Sequence, residues 1–206
     1  MARKVIALLL VPVLALAVGA VAVSAINAPG CGAATAPTFA SESFTPVAGQ
    51  LTSPEYPTFQ SEGAAIADQS GIAAAGLSSV VVPPGLAPRF VVRFGPSDSS
   101  TMIVYSPSAL PAQATVVDLV MAGGMEIIRQ PAGNGGAADV FAAVGDRAAA
   151  LKVGPYDAAI VHTDPVGSDD LRPFELHWSD GTNDFMVYGN VPAVGVINTA
   201  RSFYCH

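Results

Sequence analysis

The chain has 206 residues, enough for one domain of ordinary size together with a targeting segment. Only 12% of the residues are charged, about half of the usual share, and the formal net charge is −7. Because affinity for nucleic acids comes from clustered lysine and arginine, this acidic composition argues against a nucleic-acid partner.

Residues 1–25 form a targeting segment. Arg3 and Lys4 supply a basic start, and the run from Val5 to Val23 carries no charge. Val23-Ser24-Ala25 has the small residues that signal peptidase prefers. The run is long for a signal peptide and close to the roughly 20 residues that cross a bilayer. The segment is therefore a signal peptide or a transmembrane anchor, and we expect an exported protein of the cell envelope, either membrane-anchored or secreted.

The two cysteines, Cys31 and Cys205, allow two kinds of covalent modification. Cys31 follows the apolar run, where an acylated cysteine can stand, although Gly30 alone fits the residues expected before a lipidated cysteine. After export the two cysteines could instead form one disulfide, because such bonds persist in oxidising compartments. Closing so long a loop would stabilise the fold by about 5 kcal/mol at most in the chain-entropy model. Lipidation of Cys31, a Cys31–Cys205 bridge and two free thiols all remain open.

Residues 26–56 are predicted to be a flexible linker, and residues 57–206 an extracytoplasmic domain. The linker is rich in Ala, Thr, Ser, Pro and Gly and shows no sustained hydrophobic period. Such a composition buries too little apolar surface to order itself.

The first half of the domain is predicted to begin with a helix from Phe59 to Leu77, where alanines recur. Strands follow where Phe90, Val92 and Phe94 alternate with more polar neighbours and from Met102 to Tyr105. The segments Ala114 to Met121 and Met125 to Gln130 flank Ala122-Gly123-Gly124, which predicts a β-hairpin.

The second half contains further strands. Ala137 to Ala150 is ambiguous between helix and strand, since alanine favours a helix while Gly145 interrupts it. Leu151 to Gly154 and Tyr156 to Thr163 are predicted strands, and an acidic loop containing Asp164, Asp169 and Asp170 follows.

The last stretch predicts a hairpin followed by a helix. Phe174, Leu176 and Trp178 alternate with polar residues, and Asp180 to Asn183 supply a turn before the return strand. Pro192 then begins a helix. Adjacent strands with short turns predict an α+β fold, in which an antiparallel β-sheet packs against one or two helices and the C-terminal helix closes the domain. Trp178 and Phe185 should face a helix.

A family resemblance rests on several short motifs. They are VVVPPGLAPRF after the first helix, Val104-Tyr105, Lys152 to Gly154, Leu176 to Trp178, and the terminal Ile197, Ala200 and Ser202. From Phe59 to Cys205 the chain resembles the extracytoplasmic domain of unknown function found at the C-terminus of anti-sigma-type membrane regulators and in bacterial lipoproteins. That domain is similar to the lipoprotein-carrier fold, so the resemblance implies an α+β fold with a curved antiparallel β-sheet packed against one or two helices. Gly195 in the terminal helix departs from the pattern, and the resemblance implies no catalytic residues.

No constellation of catalytic or metal-binding residues emerges from the spacing. His162, His177 and His206 are isolated, and His177 alternates with apolar neighbours as an outer-face strand residue does. The three aspartates lack calcium-loop spacing. Gly133-Asn134-Gly135-Gly136 lacks the Lys-Ser/Thr of a phosphate loop, so we interpret it as a turn. Two carboxylates, Glu175 and Asp180, lie on or near one hairpin, but sequence does not show whether they converge.

These observations predict a non-catalytic, membrane-tethered binding or sensing module without cofactors. Its partners would be the membrane, through the N-terminal segment, and a protein partner or an apolar ligand. The apolar positions Phe90, Val92 and Phe94, and separately Phe174, Leu176 and Trp178, are the first candidates for that ligand. One alternative is an exported lipid or lipoprotein carrier with an apolar cavity. A second is a secreted hydrolase whose site leaves no linear motif.

Overall fold

The structure is a computed structural model, and it describes residues 34–39, 63–65, 77, 80–94, 96–111, 114–133, 135–163 and 173–205. For residues 63–65, 94 and 98 only the backbone is described.

Eight strands and three α-helices make up the described domain. The strands are β1 Gly63–Ala65, β2 Ala87–Phe94, β3 Ser100–Ser106, β4 Met125–Pro131, β5 Ala148–Val153, β6 Tyr156–His162, β7 Phe174–Ser179 and β8 Asn183–Gly189. The helices are α1 Val116–Met121, α2 Ala137–Val144 and α3 Ala193–Arg201. Short 3₁₀ turns occupy Pro96–Asp98 and Gly145–Arg147.

The strands form one open sheet in the order β1-β2-β3-β4-β8-β7-β6-β5, and every neighbouring pair is antiparallel. Consecutive strands pair within each half, β1 to β4 and β5 to β8. The two halves meet where β4 pairs with β8, from Met125 opposite Gly189 to Pro131 opposite Asn183. The predicted α+β class, with an antiparallel sheet and a C-terminal helix, is confirmed.

One face of the sheet, which we call the core face, is covered by α3. Trp178 is fully buried there, and its ring stacks on Phe185 at 4.9 Å between centroids. Phe203, just beyond α3, meets both rings edge-on. The indole Nε1 of Trp178 donates a hydrogen bond of 2.9 Å to the Tyr204 hydroxyl. The predicted burial of Trp178 and Phe185 on the helix-covered face is thus confirmed.

The opposite face, which we call the helix-flanked face, is covered at its two sides. Near β3, Leu119 of α1 packs with Val104. Near β5 and β6, Phe141 of α2 packs against a cluster that contains Ala159 and Val161. The central strands β4, β8 and β7 lie between these two covered regions.

The predicted hairpin before Gly124 is wrong in its first arm, because Val116–Met121 is helical. The side chain of Thr115 accepts a hydrogen bond from the Asp118 amide, and the Asp118 carboxylate accepts one of 2.8 Å from the Thr115 amide. This capping box satisfies amides that a helix start leaves unpaired. The second arm, from Met125, is a strand as predicted.

The predicted helix from Phe59 to Leu77 is wrong at Gly63–Ala65, which pair with β2. Pairing with an open strand edge overrides the helix preference of alanine there. The ambiguous stretch Ala137 to Ala150 divides into α2, the 3₁₀ turn and the start of β5. Gly145 ends α2 with a φ of 61°, a conformation that favours glycine.

Only residues 34–39 of the predicted linker are described. Within them, Ala34 and Phe39 are partly buried against the main core, and the Phe39 ring lies 6.1 Å from that of Phe174. At the other end of the chain, Cys205 is disulfide-bonded. Cys31 is the other cysteine of the sequence but lies outside the described residues, so its pairing and its lipidation stay predictions.

Candidate functional site

A row of polar side chains crosses the three central strands on the helix-flanked face. Glu175 of β7 lies opposite Tyr188 of β8, and Tyr188 lies opposite Glu126 of β4. His177 follows Glu175 on the same side of β7, because alternate residues of a strand share a face. We call Glu126, Tyr188, Glu175 and His177 the acidic strip.

Glu126 is the most deeply buried member of the strip. It is 5% exposed, and its Oε2 atom has no hydrogen-bond partner within the described part of the protein. Burial, and secondarily the negative charge of Glu175, raise the pKa of Glu126 to about 8. Both effects disfavour the ionised carboxylate. At pH 7 Glu126 is therefore mainly a neutral carboxylic acid, which can donate one hydrogen bond as well as accept.

Glu175 and His177 form the solvent-reached end of the strip. Their side chains are 29% and 16% exposed, and His177 Nε2 is hydrogen-bonded to Glu175 Oε1. Since the two residues are separated by one position on a strand, both side chains project from the same face and can meet. The imidazole thereby holds the Glu175 carboxylate in place within the strip.

An apolar row runs beside the acidic strip. Met186 of β8 lies between His177 of β7 and Ile128 of β4, and Ile128 lies opposite Met102 of β3. These three apolar side chains are partly buried, so they are not sealed inside the core. The centre of the helix-flanked face therefore places an acidic row directly against an apolar one.

Asp184 completes this face but already has partners. Its Oδ2 accepts hydrogen bonds from the amides of Gly133, at 2.7 Å, and Gly135, at 3.0 Å. A Cβ atom at Gly135 would lie 3.0 Å from the Asp184 carboxylate, so a larger residue would crowd this contact. The glycine-rich loop thus folds around the protein's own carboxylate, in agreement with its interpretation as a turn.

The histidines singled out from the sequence do not come together. His162 stacks on Phe174 at 4.4 Å on the core face, whereas His177 lies on the helix-flanked face. His206 and the aspartates 164, 169 and 170 lie outside the described residues. Where side chains are described, no group of three or more His, Cys, Asp or Glu residues is arranged to hold a metal ion.

The two carboxylates considered on the hairpin also stay apart. Asp180 Oδ1 accepts hydrogen bonds from the amides of Thr182, at 2.8 Å, and Asn183, at 2.7 Å. It therefore stabilises the turn between β7 and β8. Glu175 instead is hydrogen-bonded to His177, and its charge helps to raise the pKa of Glu126. The sequence analysis did not identify Glu126.

The two apolar faces proposed for a ligand lie on opposite sides of the sheet. Leu176 and Trp178 are fully buried on the core face. Val92 is fully buried, and Phe90 packs into the cluster under α1. Contact of these residues with a ligand therefore stays a prediction.

Comparison with protein-family models, with curated proteins and with solved structures finds no match to this chain. Over the ranges that the structure describes, no helix is both long and apolar enough to span a membrane.

Proposed function

We propose that this protein is a non-catalytic extracytoplasmic binding or sensing module, and that the acidic strip is its ligand-binding surface. The observation that carries the proposal is Glu126, a buried carboxyl group with an oxygen that no described group satisfies. Leaving a buried polar group without a partner costs roughly 1–3 kcal/mol. A ligand that satisfies this group would recover that free energy on binding.

The position of Glu126 supports a ligand from outside the protein. Glu175 and His177, in the same strip, are partly exposed, so solvent reaches one end of it. Tyr188 and Met186, on the central strand β8, are also only partly buried, so solvent reaches them as well. A small molecule can therefore approach the strip between the regions covered by α1 and α2.

The remainder of the proposal concerns the setting of this module. The charge-free run from Val5 to Val23 would direct the chain out of the cytoplasm. As an uncleaved anchor it would hold the protein at the membrane, and as a cleaved signal peptide it would release it. We further propose that the sheet is curved, as in the extracytoplasmic regulator domains that the sequence resembles. In that setting ligand binding at the strip would be sensed near the membrane, with a protein partner receiving the signal and no nucleic acid involved.

Native mass spectrometry of the membrane-extracted protein tests this proposal. We expect a co-purifying small molecule on the wild-type protein and its loss from a Glu126→Gln variant, which keeps the shape of the side chain. The matched control is Asp146→Asn, in the exposed turn between α2 and β5. Bound membrane lipid that Glu126→Gln leaves unchanged would favour the lipid-carrier alternative instead.

One observation favours a second candidate function, that of a hydrolase. Glu126 has its pKa raised to about 8, and a buried carboxyl group that keeps its proton at neutral pH serves as the general acid in several hydrolases. Glu126 would then donate a proton and Glu175 would activate water. A panel of hydrolase substrates distinguishes the candidates, since turnover that Glu126→Gln abolishes and Asp146→Asn preserves would refute the non-catalytic proposal.

A further inference from the structure

We propose that the acidic strip binds a primary ammonium group, with the apolar part of the same ligand lying on Met186 and Ile128. This inference rests on the proposed binding function and specifies the chemical class of the ligand. Its basis is the Oε2 atom of Glu126, which lacks a hydrogen-bond partner among the described residues, together with a second carboxylate, that of Glu175, and the apolar row beside them.

The first argument concerns charge. The central strands β4, β7 and β8 contain one arginine and no lysine, and that arginine, Arg129, lies opposite Phe185 on the core face. Lys152 belongs to the edge strand β5 and pairs with Asp157 at 2.7 Å. Among the residues described on the helix-flanked face of these strands, the fixed charges are therefore predominantly acidic, which suits a cation.

The second argument concerns hydrogen bonding. Glu126 offers a buried oxygen without a partner, and it lies one strand from Tyr188 and two from Glu175. An ammonium group carries three N–H donors and no acceptor. It can therefore donate to Glu126 Oε2, which has no partner among the described residues, while the charge of Glu175 adds attraction across the strip. Hydrogen bonds that involve a charged group are about twice as strong as neutral ones.

The third argument separates an organic ammonium ion from a metal ion. Structural and catalytic metal sites take three or more convergent protein ligands, and no such group occurs in the described ranges. In addition, one side of the strip is apolar because Met186 and Ile128 occupy the next row. A metal ion gains nothing from that surface, whereas an alkyl chain attached to an ammonium group does.

Protonation provides a signature of this binding mode. Glu126 holds a proton at neutral pH, and the groups that face it are Tyr188 on β8 and Glu175 with His177 on β7. The nearby helices contribute Asp118 and Asp139, whose carboxylates cap their own helices. An ammonium ligand favours the ionised form of Glu126, so binding at pH 7 should release a proton from its carboxyl group to solvent.

The experiment compares three ligands of one size on the full-length protein in a non-ionic detergent: n-butylammonium, the neutral n-butanol and the anionic butyrate. Calorimetry at pH 7 in phosphate and in Tris gives both affinity and the number of protons released. We expect saturable binding of butylammonium only, with release of about one proton per ligand. Glu126→Gln should weaken binding about 10- to 100-fold and abolish the release, while Asp146→Asn changes neither.

Several results would overturn the inference. They are equal binding of butanol or butyrate, equal weakening by Asp146→Asn, tighter binding of Ca²⁺ or Zn²⁺ at the strip, and no binding of butylammonium. Binding of one of the other probes that still depends on Glu126 would reject the ammonium ligand while retaining the binding module. If Glu126→Gln does not fold, Glu175→Gln and the carboxyl ¹³C shift of Glu126 in the wild-type protein, followed during butylammonium titration, report on the same contact.

Discussion

Replacing Glu126 by glutamine should make the protein more stable at neutral pH and less dependent on pH. In the folded protein the pKa of Glu126 is raised from 4.5 to about 8, so the carboxyl group keeps its proton where the unfolded chain has lost it. The folded state then binds more protons than the unfolded state, and stability falls as pH rises from about 4.5 to about 8. Glutamine is neutral throughout this range and removes this dependence.

The magnitude follows from the width of the window. For each pH unit in which only the folded state keeps the proton, a rise in pH lowers the free energy of unfolding by about 1.4 kcal/mol. Between pH 5 and pH 7 the free energy of unfolding of the wild-type protein should therefore fall by about 3 kcal/mol relative to that of Glu126→Gln. Taking the difference between the two proteins removes the contribution of every other titrating group. Below pH 4.5 the difference should be small and constant.

Urea unfolding followed by Trp178 fluorescence, at half-unit steps from pH 4 to pH 8, measures this difference. Glu175→Gln provides a second variant, since it removes the neighbouring charge and should shrink the pH dependence without abolishing it. Asp146→Asn should follow the wild-type curve. Parallel curves for the wild-type protein and Glu126→Gln over the whole range would show that Glu126 is ionised in the folded state, and the description of the strip would be wrong.

Three further predictions concern the C-terminal residues Tyr204 and Cys205 and the contact of Tyr204 with Gly154. Tyr204→Phe should lower the free energy of unfolding by about 1–3 kcal/mol, because the buried indole N–H of Trp178 loses its partner, and unchanged urea unfolding would exclude this role. Gly154→Ala should destabilise by about 1–3 kcal/mol more than Gly181→Ala in the same assay. Both glycines have positive φ, but only at Gly154 would the new Cβ contact Tyr204, at 2.8 Å, so equal losses would contradict the contact. Cys205→Ser should lower the melting temperature of the oxidised protein and leave that of the reduced protein unchanged, and a variant that melts with the oxidised wild-type protein would show that the bridge is not stabilising.

The elements predicted correctly are those in which local pattern and tertiary packing agree. Around Trp178 the two-residue alternation, the turn at Asp180 and the proline before α3 all favour the same structure. The stretch before Gly124 is predicted as a strand because its apolar residues fit a strand as well as a helix. The capping box at Thr115 is what selects the helix.

The acidic strip could not be found in the same way. Glu126 follows Met125 at the start of an apolar strand, where a single glutamate resembles an ordinary exposed residue. Its burial depends on pairing with β8, whose residues lie far along the chain. His177 was correctly expected on the face opposite Trp178, but its contact with Glu175 depends on partial burial that alternation alone does not reveal. Convergent groups on separate strands leave no linear motif.

The pairing of β4 with β8 also determines when the strip can exist during biogenesis. As the chain is synthesised, β2, β3 and β4 can pair with their sequence neighbours at once, because these contacts are local. Strand β4 then remains an unprotected edge, prone to pairing with another chain, until β8 has been delivered. Glu126 acquires Tyr188 and Glu175 as neighbours only when that last strand docks. A newly made molecule would thus gain its acidic strip in the same event that shields the edge of β4 from aggregation.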